Sequence, residues 1–186
     1  MSLENQQMKI LRAVEESVGP TERAWNKYNG DVCCRIIKEY LEKNISMDCK
    51  VVGPNAYVEG LPTEFDLLVV DKGVSPKKYT NAYPVGSVHF VIEIKKRGIY
   101  GGRRDLENAV KKIRRNFESV TDINPDVKCF YLTVQEVSKP KRKGSIKYLE
   151  ETEEGLRPFE VFALKESRSN KMIKGEWKRL IDYIEG

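Results

Sequence analysis

Apolar residues recur along this chain in two rhythms. Spacings of three and four predict helices, while short runs and alternation predict strands. Met8, Leu11, Val14 and Val18 mark an amphipathic helix over residues 1–18, which Gly19-Pro20 ends. Val32, Ile36, Ile37, Tyr40 and Leu41 mark a second helix, with Asn29-Gly30-Asp31 as its start or an interruption and Asn44 near its end. Residues 49–52 and 56–58 predict a first strand broken at Gly53-Pro54, followed by a turn at Glu59-Gly60-Leu61-Pro62. The runs 64–70 and 88–95 predict two further strands, joined by a connection over residues 71–87 that is longer than a hairpin needs. Leu106, Ala109, Val110, Ile113, Phe117 and Val120 form the apolar stripe of a long helix. A strand over 127–134, a strand over 158–164 and a helix over 174–184 close the chain.

The runs 64–70 and 88–95 are apolar on both faces, as interior strands are, yet both contain acids. Alternation puts Glu64, Asp66, Leu68 and Val70 on one face of the first, with Phe65, Leu67 and Val69 on the other. In the second, Val88, Phe90, Ile92 and Ile94 share a face, and His89, Val91, Glu93 and Lys95 share the opposite one. A carboxylate in such a strand loses hydration, at a cost of about several kcal/mol unless a cation or donor compensates. If the strands pair antiparallel, Asp66 lies beside Glu93, and two acids converge with the amine of Lys95. Neighbouring carboxylates repel unless they share a proton or a metal ion. Hard oxygen ligands favour Mg²⁺, which keeps waters for a phosphate substrate. The plain alternative is an ion pair at a strand end.

This pattern, Asp66 followed by Glu93-Ile94-Lys95, resembles the PD-(D/E)xK, or restriction-endonuclease-like, nuclease superfamily. The residue before the aspartate is often proline there and is Phe65 here. The resemblance implies that Asp66, Glu93 and the backbone carbonyl of Ile94 hold the metal, and that Lys95 orients or activates the attacking water. It also implies a glutamate on the helix before the first strand, for which Glu39 is the candidate; a solvated helix acid is the competing reading. Glu59 and Glu64 flank the region and are candidates for a second metal or simply solvated turn acids.

After Lys95 the sequence becomes cationic and glycine-rich. Lys96, Arg97, Arg103 and Arg104, with Lys111 and Lys112 on the following helix, are candidates to track phosphates, against the alternative of a solvated face. Gly101 and Gly102 suit close backbone approach to an anion. Another basic segment, 139–144, is a candidate nucleic-acid contact or a hairpin tip. The 186 residues carry a net charge of +5, compatible with a polyanion partner without arguing for one. Cys33, Cys34, Cys49 and Cys129 have no CxxC spacing, and one histidine, His89, argues against zinc. Free thiols in a reducing cytosol are expected. No transmembrane-length run or signal-peptide core appears, so a cytoplasmic protein without membrane contact is expected.

The expected fold is therefore α/β, a restriction-endonuclease-like core of order α-β-β-β-α-β. It has a mixed central sheet flanked by helices, in one domain over 1–186 with its core at about 31–137. The function the resemblance implies is a Mg²⁺-dependent nuclease, with Mn²⁺ substituting, that cuts DNA first and RNA second, as an endonuclease, with a homodimer as the expected assembly if it is not a monomer. The competing class is a nucleic-acid-binding or restriction or phage accessory module that keeps the fold without cutting.

Overall fold

A central five-stranded sheet, with helices on both faces, carries Glu93 and Lys95 on an interior strand and has Asp66 at the entry to the strand beside it. It is seen in a computed structural model that describes residues 22–45, 48–97, 103–135, 148–164 and 173–186. The expected helix over 1–18, the glycine-rich run 98–102 and the basic loop 139–144 lie outside the described residues.

Helix α1 (Glu22–Asn44) precedes β1 (Cys49–Val52), β2 (Ala56–Val58), β3 (Glu64–Phe65) and β4 (Leu67–Asp71). After β5 (Ala82–Tyr83) and a 3-10 turn at Val85–Ser87 come β6 (Val88–Arg97), α2 (Arg103–Thr121) and β7 (Lys128–Gln135). Helix α3 (Tyr148–Leu156), β8 (Glu160–Ala163) and α4 (Glu176–Glu185) follow. The large sheet has the order β1-β4-β6-β7-β8; β1, β4 and β6 run antiparallel, and β6, β7 and β8 are parallel. An antiparallel meander followed by a helical crossover to a parallel strand is the restriction-endonuclease-like core order that the sequence implied. A smaller sheet, β3-β2-β5, uses part of the long connection between β4 and β6. Among the described residues no helix is long and apolar enough to cross a membrane.

One face of the sheet (Leu67, Val69, Phe90, Ile92, Ile94) packs against α1 and α4, and the other (Leu68, Val70, Val91, Tyr131) against α2 and α3. Fully buried side chains of this size stabilise by roughly 1.5–3 kcal/mol each, which is what holds so many short elements in register. Helices α2 and α3 approach closely where Gly155 meets Val110: a Cβ on Gly155 would stand 2.6 Å from a Val110 methyl. The acidic stretch 150–154 is the body of α3 and buries Thr152, with Leu156 beyond it.

Three expectations are corrected. Helix α1 does not start at Asn29-Gly30-Asp31 but runs through it, and its buried stripe is Cys33, Cys34, Ile37, Tyr40 and Leu41. Burial of that stripe outweighs the ~1 kcal/mol cost of a helical glycine. The strand expected over 64–70 is bent at Asp66, where the chain passes from the small sheet to the large one. Phe65 consequently packs with Leu68 and Val70 rather than with Leu67 and Val69. In β6 an irregularity opposite Val69 and Val70 leaves His89 as an extra residue, so Val88 joins Val91 instead of Phe90. A bulge of this kind inverts the alternation upstream of it.

Candidate active site

Asp66 reaches Glu93 because of strand register. Leu67 pairs with Ile92 across the β4–β6 ladder, so the residue before Leu67 stands beside the residue after Ile92. The bend at Asp66 frees its carboxylate to turn toward β6, where the backbone N–H of Ile94 donates to Oδ2 at 2.7 Å. Behind the bend lies Gly53, at φ +124°; a Cβ there would fall 2.4 Å from the Asp66 carbonyl oxygen. Only glycine lets the β1–β2 connection approach so closely in that backbone conformation.

Glu93 and Lys95 lie two apart on β6 and project to the same side. Lys95 Nζ donates to Glu93 Oε1 at 2.5 Å and to the Ile94 carbonyl oxygen at 3.2 Å, and stands 3.6 Å from Asp66 Oδ2. One ammonium thus gathers two carboxylates and a main-chain carbonyl. Burial pushes the Glu93 carboxyl above the usual carboxylate range; Lys95 offsets part of that, and the nearby Asp66 charge adds to it. For Lys95, burial works against the charged form, but Glu93 and Asp66 outweigh it and raise the pKa.

Other residues border the site that the pattern of the sequence did not single out. Tyr131, on β7 directly beside Glu93, has its phenol pushed upward by burial and then by the Glu93 and Asp66 charges. Cys34, on α1, is raised by burial first and then by Asp66, with Lys95 opposing and Asp31 adding a smaller push. Cys34 thus lies within reach of the Asp66 and Lys95 charges, and Asp31, about one turn earlier on the helix, acts on the same thiol.

Glu39 is not brought there. It is exposed, 4.0 Å from Lys43, and lies about 140° around the helix from Cys34. Glu59 pairs with Lys77 at 3.1 Å, and Glu64 accepts a 2.9 Å hydrogen bond from the Tyr57 hydroxyl, so neither joins the group. Of the cationic candidates, Lys96 and Arg97 close β6 and Arg103 and Arg104 open α2; their side chains lie outside the described residues. Lys111 and Lys112 are both exposed, but they face different ways. Lys111 lines the groove between α2 and α3 beside Glu151 and Glu154, whereas the Lys112 charge bears on Glu93.

Solved structures share this architecture. NucC of E. coli MS115-1, in its apo form, superposes with a TM-score of 0.61 at 14% identity, covering 100% of this chain and 93% of that one. The cAAA-bound form of NucC from P. aeruginosa ATCC27853 matches at 13% identity with a TM-score of 0.47, covering 98% of this chain and 71% of that one. No protein-family model and no curated protein matches the chain. At such identities the likeness to NucC is one of fold.

Proposed function

We propose that this chain is a metal-dependent nuclease that hydrolyses phosphodiester bonds, with DNA the first substrate and RNA the second. The observation that carries the reading is the convergence of Asp66 Oδ2, Glu93 Oε1 and the Ile94 carbonyl on a single cationic point, where Lys95 Nζ now sits. An all-oxygen donor set with two carboxylates fits Mg²⁺, with Mn²⁺ as a substitute, and does not suit a softer ion. Asp66, Glu93 and Ile94 would hold that ion, which when bound supplies Lewis-acid polarisation of a phosphoryl oxygen and an activated water.

The chain's own groups account for the rest. The Ile94 N–H fixes the rotamer of Asp66, so the first carboxylate is in place before any ligand arrives. Lys95, with three donors on a flexible stem, can leave its carboxylates and present its charge to the phosphate or hold the attacking water. Lys112 adds positive potential on the α2 side, and Lys96, Arg97, Arg103 and Arg104 extend it in sequence from the strand that bears the site. These cations suit a backbone-tracking mode that ignores base sequence. Internal cutting, as an endonuclease, and a homodimeric state belong to the same proposal.

The test is incubation of the protein with duplex DNA, single-stranded DNA and RNA, in Mg²⁺, in Mn²⁺ and in chelator, beside Lys95→Ala. Cleavage by the wild type in metal alone, lost in the variant, is the expected result. Salt-dependent binding without cleavage in any metal overturns it in favour of a binding module.

A further inference from the structure

Three neighbouring strands of the large sheet each bring one side chain to the same level at the end remote from Glu93. Cys49 opens β1 and pairs across the ladder with Asp71, the last residue of β4. His89, the extra residue of the β6 bulge, turns its ring to Asp71, with Nε2 2.7 Å from Oδ1. The thiol, the carboxylate and the imidazole each offer a ligand atom within 4.8 Å of the other two, and all three residues are half-buried. We propose that Cys49, Asp71 and His89 form a second cation site that takes Zn²⁺, with solvent completing the coordination.

The donor chemistry selects the ion. A sulfur, a nitrogen and an oxygen form a borderline set that zinc accepts readily, whereas Mg²⁺ and Ca²⁺ demand oxygen. A tetrahedral zinc with bonds of about 2.0–2.3 Å keeps its ligand atoms roughly 3.3–3.7 Å apart. The observed spread therefore closes onto an ion by side-chain rotation of about an ångström, without movement of the ladder. In the metal-free protein the Asp71–His89 contact holds two of the ligands beside each other. The bulge is what makes the set: without the extra residue, His89 would follow the strand's alternation. Glu93 lies four positions after His89 along β6, roughly 13 Å of strand, so the oxygen site and this one are separate. An ion here would tie the edge strand β1 to both strands of the central hairpin at once. The inference does not rest on the nuclease reading.

Zinc titration of the full chain against a chromophoric chelator, together with the absorption spectrum of the Co²⁺ form, tests it. One equivalent of zinc should bind, and Co²⁺ should show a thiolate charge-transfer band. Cys49→Ser should abolish that band and weaken zinc at least about a hundredfold, and His89→Gln should weaken it at least about tenfold, since loss of a direct ligand exceeds the ~10–100-fold cost of an outer partner. Asp66→Asn should leave both readings unchanged. Because His89 is partly exposed and His89→Gln keeps a side chain of similar size, that variant carries the test if Cys49→Ser misfolds. The proposal fails if the wild type takes up no zinc at equimolar concentration. It fails equally if the cobalt band survives Cys49→Ser, or if uptake disappears in Asp66→Asn while both other variants retain it.

Discussion

The Asp66 carboxylate is anchored by the main chain of the residue between Glu93 and Lys95: the Ile94 N–H donates to Asp66 Oδ2 at 2.7 Å. A main-chain donor on an interior strand cannot rotate away. The two halves of the candidate site, which are 28 positions apart in sequence, are therefore joined by a bond that survives changes in the surrounding side chains.

Asp66→Asn keeps an oxygen for that hydrogen bond but removes one of two neighbouring negative charges. Cleavage should be lost and divalent-ion binding weakened, while the melting temperature in chelator should equal or exceed that of the wild type. Differential scanning calorimetry with parallel Mn²⁺ titration checks this. A melt well below the wild type would make Asp66 a structural residue.

Lys95→Ala should cut the cleavage rate by about 10²–10³-fold, the usual loss when one charge-stabilising group is deleted. It should also lower stability in chelator at neutral pH. Breaking a fully buried pair costs about 3–5 kcal/mol; with the Lys95 side chain 43% exposed, solvent screening reduces this to about 1–2 kcal/mol. The pH dependence has a definite sign. Glu93 titrates above its ordinary value in the folded protein, and loss of Lys95 raises it further. The folded state then binds more protons than the unfolded one. The deficit of the variant should shrink as pH falls from the raised Glu93 value toward the ordinary glutamate value. Melts over a pH series in chelator measure it, and a deficit that grows in acid would contradict the assignment.

Gly53→Ala places a methyl 2.4 Å from the Asp66 carbonyl in a backbone conformation that alanine avoids. A loss of about 1–3 kcal/mol is expected. Activity at a temperature where the variant is still folded should fall as well, because relief of the clash moves the Asp66 bend. Full activity in the folded variant would show that the bend tolerates displacement.

The exposed lysines of α2 should differ. Lys112→Gln should weaken nucleic-acid binding for every sequence alike and flatten the plot of log affinity against log salt by about 0.9, the share of one phosphate contact on duplex DNA. Lys111→Gln, facing the α2–α3 groove, should change that slope less. Equal slopes for wild type and Lys112→Gln would return Lys112 to a solvated face.

Glu39→Gln should leave stability within about 0.5 kcal/mol and cleavage unchanged, as for a surface substitution away from any special contact. A large loss of activity would restore the helix glutamate to the site.

Much of this arrangement was legible in the residues themselves. Unbroken apolar runs around Asp66 and Glu93 identified two interior strands, and an acid that loses hydration in such a strand has to be compensated by something. What escaped were departures from periodicity. Alternation cannot show that a chain changes sheets at Asp66, since the apolar residues on either side remain apolar. Nor can it show a bulge at His89, where one residue too many inverts the phase of Val88. On α1 apolar spacing does not register Cys33 and Cys34 as core, so the stripe it predicts misses two of the five buried residues and does not show that Glu39 faces away from Cys34. The Cys49, Asp71 and His89 cluster depends on a ladder register and a bulge, and a count of one histidine pointed away from it.

The position of the Lys95 ammonium among three oxygens has a consequence for control. For any divalent ion drawn to those oxygens, the lysine acts as a competitive inhibitor attached to its own target. Its effective concentration is set by the strand and cannot be diluted. The apparent affinity for such an ion would be its intrinsic affinity scaled by the fraction of molecules in which the lysine has withdrawn. Occupancy would then follow the free-ion level over a higher range than the ligand set alone would dictate, and a polyanion that draws the lysine away would promote loading of the ion. Substrate and ion would recruit each other through one side chain.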